Sequence, residues 1–171
     1  TAGGTPAQVL TITDDDTPTA SFSAGTASVA ENVAGGLATV TVNLSNASSL
    51  AVTVPVTRTG GSASGSGVDF TYTSPTNITI AAGVTTGTVT VTIVNDAVGE
   101  ASETIDFGFG TITNATAGGT PAQVLTITDD DTPTASFSAG TASVAENVAG
   151  GAATVTVNLS NASALAVTVP V

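Results

Sequence analysis

The 171 residues carry thirteen acids against one basic side chain, Arg58, with no histidine, for a net charge of −12. One cation cannot build the basic face that phosphate contacts need, which excludes nucleic acid as a partner and an anionic membrane surface as a docking site. Cysteine is absent too, so disulfides and thiolate metal sites are out of reach; catalysis would fall to Asp, Glu, Ser, Thr or Tyr72, and the protein is not expected to be an enzyme.

The chain opens on a segment that it later repeats. Thr1 to Val56 recurs as Thr116 to Val171 at an offset of 115 residues, with Leu37 becoming Ala152 and Ser49 becoming Ala164. The phase is set by TITDDDTP, at Thr11 to Pro18 and again at Thr126 to Pro133, where a strand pattern stops in acids and proline restarts the chain. One complete unit then runs over residues 17–131. Residues 1–16 read as the C-terminal strand of a preceding repeat and 132–171 as the N-terminal strands of a following one, so a longer array of near-identical units is expected.

Within the unit, apolar residues alternate with period two, and Val, Ile and Thr dominate, which favours strands over helices. The first predicted strand spans Ala20 to Glu31 with a kink at Gly25. Next come Ala38, Val40, Val42 and Leu44, then Val52, Val54 and Val56, then Ile78 and Ile80. Val89, Val91 and Ile93 follow, then Ile105, Phe107 and Phe109, and last Leu125 and Ile127. Seven short strands between Gly, Ser, Asn and Pro turns predict an all-β fold, a seven-stranded antiparallel immunoglobulin-like β-sandwich in tandem repeats of 115 residues. No apolar run approaches the roughly 18 to 20 residues of a membrane-spanning helix.

Antiparallel succession would place the turns after the first, third and fifth strands, and the end of the seventh, at one pole. Glu31 falls in the first of these turns, Asp69 in the second, and Asp96, Glu100 and Glu103 in the third, while Asp129, Asp130 and Asp131 close the last strand. Eight of the unit's nine acids thus share a pole, and the ninth, Asp106, is expected on the outer face of the sixth strand. The opposite turns, SNASSL, AAGVTTG and TNATAGGTPA, carry no charge. Converging carboxylates raise one another's pKa unless a cation neutralises them. Oxygen ligands without His or Cys select Ca2+ over transition metals, and Mg2+ demands a stricter octahedron. The equivalent residues of the neighbouring copies, Asp14, Asp15, Asp16 and Glu146, would be parts of further sites.

Other motifs have plainer readings. GGSASGSG at Gly60 to Gly67 lacks the lysine and the helix of a phosphate loop and reads as a flexible turn. Sequons at Asn43, Asn46, Asn77 and Asn114 arise readily in a Ser/Thr-rich chain, and outward rows such as Thr88, Thr90 and Thr92 suit a solvated strand face. A carboxylate pair such as Asp69 and Glu100 would suit glycoside hydrolysis only beside an aromatic-lined cleft, and the chain has six aromatics.

Four segments in order, SFSAGTASVAEN, SGSGVDFTYT, TVTVTIVNDAVGEASETIDF and TITDDD, resemble a Calx-beta repeat, the calcium-binding sandwich of sodium/calcium exchangers, an integrin beta subunit and large secreted bacterial proteins. The resemblance implies calcium ligation by Glu31, Asp69, Asp96, Glu100, Asp129, Asp130 and Asp131, with Glu103 as an outer partner. Asn95 stands where an acid is common and Ala101 where glycine is usual, departures that bear on the number and affinity of ions. The expected function is a calcium-stabilised structural repeat of a secreted cell-surface adhesin, matrix protein or extracellular filament. Its partners would be neighbouring repeats of the same chain or other copies in a fibre. The alternatives are a calcium-sensing regulatory module and a carbohydrate-active one.

Overall fold

The computed structural model describes residues 3–4, 7–13 and 15–170. The expected alternation becomes strands β1 (Thr19–Phe22), β2 (Thr26–Ala30), β3 (Leu37–Leu44), β4 (Val52–Gly60), β5 (Phe70–Thr71), β6 (Thr76–Ile80), β7 (Thr86–Ile93), β8 (Val98–Gly99), β9 (Glu103–Phe109), β10 (Thr116–Ala117), β11 (Ala122–Thr128), β12 (Ala135–Phe137), β13 (Val157–Leu159) and β14 (Ala162–Ser163). One five-stranded sheet has the order β10-β1-β3-β7-β5 and the other β2-β11-β9-β4-β6. Their inward residues make one core, with Val40, Val42 and Val91 from the first sheet facing Val54, Ile80, Ile105 and Leu125 from the second. The fold is therefore an all-β sandwich, as expected.

Two features of the expected topology are corrected. The described residues hold fourteen strands, not seven in a unit with one partial strand before it and a few after, and three of the pairings are parallel: β1 with β10, β2 with β11 and β14 with β8. The predicted first strand is in fact two, one in each sheet. Its core residues explain the split: Phe22 is buried and Ala27 packs on the same core, yet they are an odd number of residues apart, so an unbroken strand would turn them to opposite faces. The chain resolves the conflict by changing sheets at Ser23 to Gly25, where Ser23 N–H still donates to the Thr41 carbonyl and the Gly25 carbonyl already accepts from Val124 N–H.

The third predicted strand also runs on past Val56. Its register against β9 shifts between Arg58 and Gly60, and Gly61 follows with φ +106, where an added Cβ would stand 2.2 Å from the Thr104 carbonyl oxygen. Only glycine allows that turn and that approach. Arg58 points inward from the bulge, donating to the Ala63 carbonyl at 2.8 Å and lying 5.3 Å from the Phe70 ring centroid.

The repeated sequences are found in different states. β12 pairs with β13 in the register of β1 with β3, Ala135 opposite Leu159 as Ala20 is opposite Leu44. The sandwich is not completed around them, so Phe137 is 58% exposed where its twin Phe22 is 2% exposed. Residues 7–13 match 122–128, yet they form no strand, and Leu10 is 81% exposed against 3% for Leu125.

Candidate metal centre

The acidic pole is assembled from four chain segments, each delivered by a strand end. Glu31 follows β2 and is buried, with its N–H donating to the Thr128 carbonyl of β11. This parallel pairing brings Glu31 beside Asp129, Asp130 and Asp131, which leave the end of β11. Asp69 precedes β5; its N–H is held by the Ser64 carbonyl, and its carboxylate accepts from Ser64 N–H. Asp96 caps its own turn, its Oδ1 accepting from Val98 N–H at 2.7 Å, and its N–H donates to Glu31 Oε1 at 2.7 Å.

Glu103 needs a correction. It was expected in the turn, but the ladder with β11 continues to Glu103 opposite Ile127, which makes it the first residue of β9 and half-buries it. It is thereby aimed from the sheet into the cluster rather than carried on a loop.

Carboxylate oxygens of Glu31, Asp130 and Asp131 lie within 4.8 Å of one another, as do those of Asp69, Glu100 and Glu103. Asp96 and Asp129 join the two groups: both act electrostatically on Glu31 and on Glu100. A small cavity between the groups is lined by Glu31, Asp69, Glu100, Glu103 and Asp129. All eight expected acids of the unit therefore meet at one end. Asp106 stands apart on β9, opposite Val124 and Gly60. Asp15, Asp16 and Glu146 join no triad of acids among the described residues, and Asp14 lies outside them.

The carboxyl groups show the strain of the arrangement. Burial pushes Glu103 up to about 7, helped by the hydrogen bond and charge of Asp69 and by Glu100 and Glu31. Burial also raises Glu31 and Glu100, with neighbouring carboxylates adding to the shift, and the Asp96 N–H partly offsets it at Glu31. Asp131 is raised by desolvation and by Asp130, Asp129 and Asp96. The single cationic side chain of the sequence, Arg58, is turned to Ala63 and Phe70.

A hard divalent cation fits this donor set. Asp129 Oδ1 is buried and has no hydrogen-bond partner, an expensive state for a carboxylate oxygen that a bound cation would relieve. Carboxylates from opposite sides of the cavity would contribute oxygens to the shell of about six to eight that Ca2+ prefers. One residue the sequence reading did not assign is Asn32, whose amide donates to Asp130 Oδ2 and so orients that side chain. Its signal was its place directly after Glu31.

Residues 13–127 match the Calx-beta domain family. No curated protein matches the chain. Among solved structures, the calcium binding domain CBD12 of CALX1.1 is similar at 23% identity and a TM-score of 0.59, covering 66% of this chain and 44% of that one. The apo form of the Calx CBD1 domain is similar at 22% identity and a TM-score of 0.61, covering 68% of this chain and 100% of that one. A protein from Bacteroides ovatus described as a putative carbohydrate binding protein reaches 16% identity and a TM-score of 0.51 over 70% of this chain and 40% of its own. At these identities the likeness shows a shared fold, and this chain spans less than half of the CBD12 structure.

Proposed function

This chain belongs to the Calx-beta domain family, whose members bind calcium, and we propose that it is a calcium-stabilised structural repeat of a secreted array such as an adhesin, matrix protein or extracellular filament. Residues 17–131 would be one whole unit, with residues 1–16 and 132–171 belonging to its neighbours. The observation that carries this reading is the double role of Asp131. Its carboxylate joins Glu31 and Asp130, while its backbone carbonyl accepts from the Asn161 amide of the following copy at 2.6 Å. An ion held at this pole would tie down the residue from which the next unit departs. Only Thr132, Pro133 and Thr134 separate Asp131 from β12, the next copy's first strand, and proline restricts both its own backbone and the preceding residue. The reading assigns the function to binding and cohesion, in keeping with a calcium-binding domain family.

The test is thermal unfolding of the chain in excess chelator and in millimolar Ca2+. With affinities of about 0.1 to 1 mM, as extracellular modules show, about 5 mM Ca2+ should add about 1 to 2 kcal/mol per site. Identical melts in the two conditions would sink the proposal. A regulatory reading, in which calcium changes a partner contact, is supported by the likeness to the calcium binding domain CBD12 of CALX1.1. It predicts a calcium-dependent change in shape by small-angle scattering, where the structural reading predicts stiffening at constant unit shape.

A further inference from the structure

The following copy meets the acidic pole through its uncharged turn. β14 (Ala162–Ser163) lies parallel to β8 (Val98–Gly99), with Ala162 opposite Val98 and Ser163 opposite Gly99. Ala164 N–H donates to the Gly99 carbonyl at 2.9 Å, and the Ser163 hydroxyl reaches the same oxygen at 3.2 Å. Gly99 is packed so closely that an added Cβ would stand 2.7 Å from the Asp131 carbonyl oxygen and 2.8 Å from Pro133 Cδ. The β8 turn is therefore wedged between the linker and the next copy's uncharged turn.

The same turn of the complete unit has the same internal geometry. Asn46 donates its amide to the Asp16 carbonyl at 2.9 Å, as Asn161 does to Asp131. Thr19 N–H donates to Ser45 Oγ at 2.9 Å and Ser45 N–H to the Thr19 carbonyl at 2.9 Å, as Thr134 and Ser160 do for each other at the same distances. Among the described residues, no strand pairs with this turn as β8 pairs with β14. A groove lies there, lined by Asp16, Pro18, Ala47, Ser48 and Asn114. Asp16, Pro18, Ala47 and Ser48 are the repeat equivalents of Asp131, Pro133, Ala162 and Ser163, the residues that surround Gly99.

We propose that this groove receives the Val98–Gly99 turn of a preceding copy of the 115-residue unit, so that each unit carries both halves of a head-to-tail β-pairing. The two halves lie on different surfaces, so the contact is heterologous, and within one chain it can repeat from each unit to the next, where the covalent linker holds the partners together. Main-chain hydrogen bonds to a short strand edge supply the pairing, and the small side chains of Ala47 and Ser48 allow the approach. The inference rests on the array reading above but not on calcium.

The test uses a chain in which the unit is duplicated in tandem, residues 1–131 followed directly by 17–171. Val98→Cys in the first copy and Ala47→Cys in the second should form a disulfide under mild oxidation, in chelator as well as in Ca2+. The yield should be at least about tenfold above that of Val98→Cys paired with Thr88→Cys on the outer strand face of the second copy. In the 171-residue chain, Val98→Cys with Ala162→Cys serves as the reference, and circular dichroism shows that each variant is folded. A cross-link that needs Ca2+ would support the pairing and assign its ordering to the metal. Yields at the control level in both conditions would overturn it, even where Ca2+ still raises the melting temperature and so leaves the calcium reading standing. Failure of the reference pair would overturn it as well.

Discussion

Glu103 is the residue on which the chemistry of the pole turns. Its carboxyl is raised to about 7 by burial first and by Asp69, Glu100 and Glu31 after that. A raised carboxyl pKa means that the fold favours the protonated form: its contribution to stability is complete below the ordinary value of 4.5 and is lost as pH rises through about 7. The metal-free protein is therefore expected to melt at a higher temperature near pH 5 than near pH 8, and Ca2+ should remove most of the difference, as differential scanning calorimetry at both pH values would show. Equal metal-free melts would count against a shared, unneutralised cluster. The ligand set is open to direct substitution. Asp130→Ala and Glu100→Ala should each weaken Ca2+ binding by about tenfold or more in titration calorimetry, while Asp106→Ala, away from the cluster on β9, should not. Equal effects from all three would show general acidity, not a site.

At the scale of elements, the molecule contains its own controls, because the same strands occur with and without a completed core. Phe22 is buried from β1 and stacks on Phe109 with ring centroids 4.3 Å apart, while Phe137 on β12 is mostly exposed. Phe22→Ala should cost about 3 to 5 kcal/mol in chemical denaturation, whereas Phe137→Ala should stay within about 0.5 kcal/mol. A comparable loss at both positions would mean that residues 132–170 are packed in solution. The predicted seven-strand unit was legible in part: its Val, Ile and Phe alternation marks β3, β4, β6, β7, β9 and β11. The two-residue strands β5, β8 and β10 were not, since two residues are too short to show a period, and they exist through pairing with distant partners. The division of β1 from β2 left a trace, the odd spacing between Phe22 and Ala27, but only two separate sheets give that spacing a meaning.

For the whole molecule, the uncovered strands predict behaviour in solution. Val155, Phe137 and Leu10 expose apolar side chains, and β12 and β13 form a two-stranded sheet whose outer edges are open. The 171-residue chain should associate with rising concentration in light scattering at matched Ca2+, while a chain trimmed to residues 17–131 should stay monomeric; a monodisperse 171-residue monomer would contradict this. What the amino-acid sequence determined by itself was periodic and compositional: strands from alternation, a repeated segment from identity, and an acidic pole from carboxylates placed in alternate turns. Such properties belong to local order along the chain and need no partner. What only the tertiary structure decided was which copies of a strand become buried and which carboxylates face one another. Leu10 and Leu125 lie in identical segments, yet one is exposed and the other buried, because burial depends on β2 and β9 lying alongside β11, while among the described residues no strand pairs with residues 7–13. Burial likewise pushes Glu103 up to about 7 because the β9–β11 ladder carries it into the cluster, a register set by pairing across the sheet and not by its neighbours in sequence.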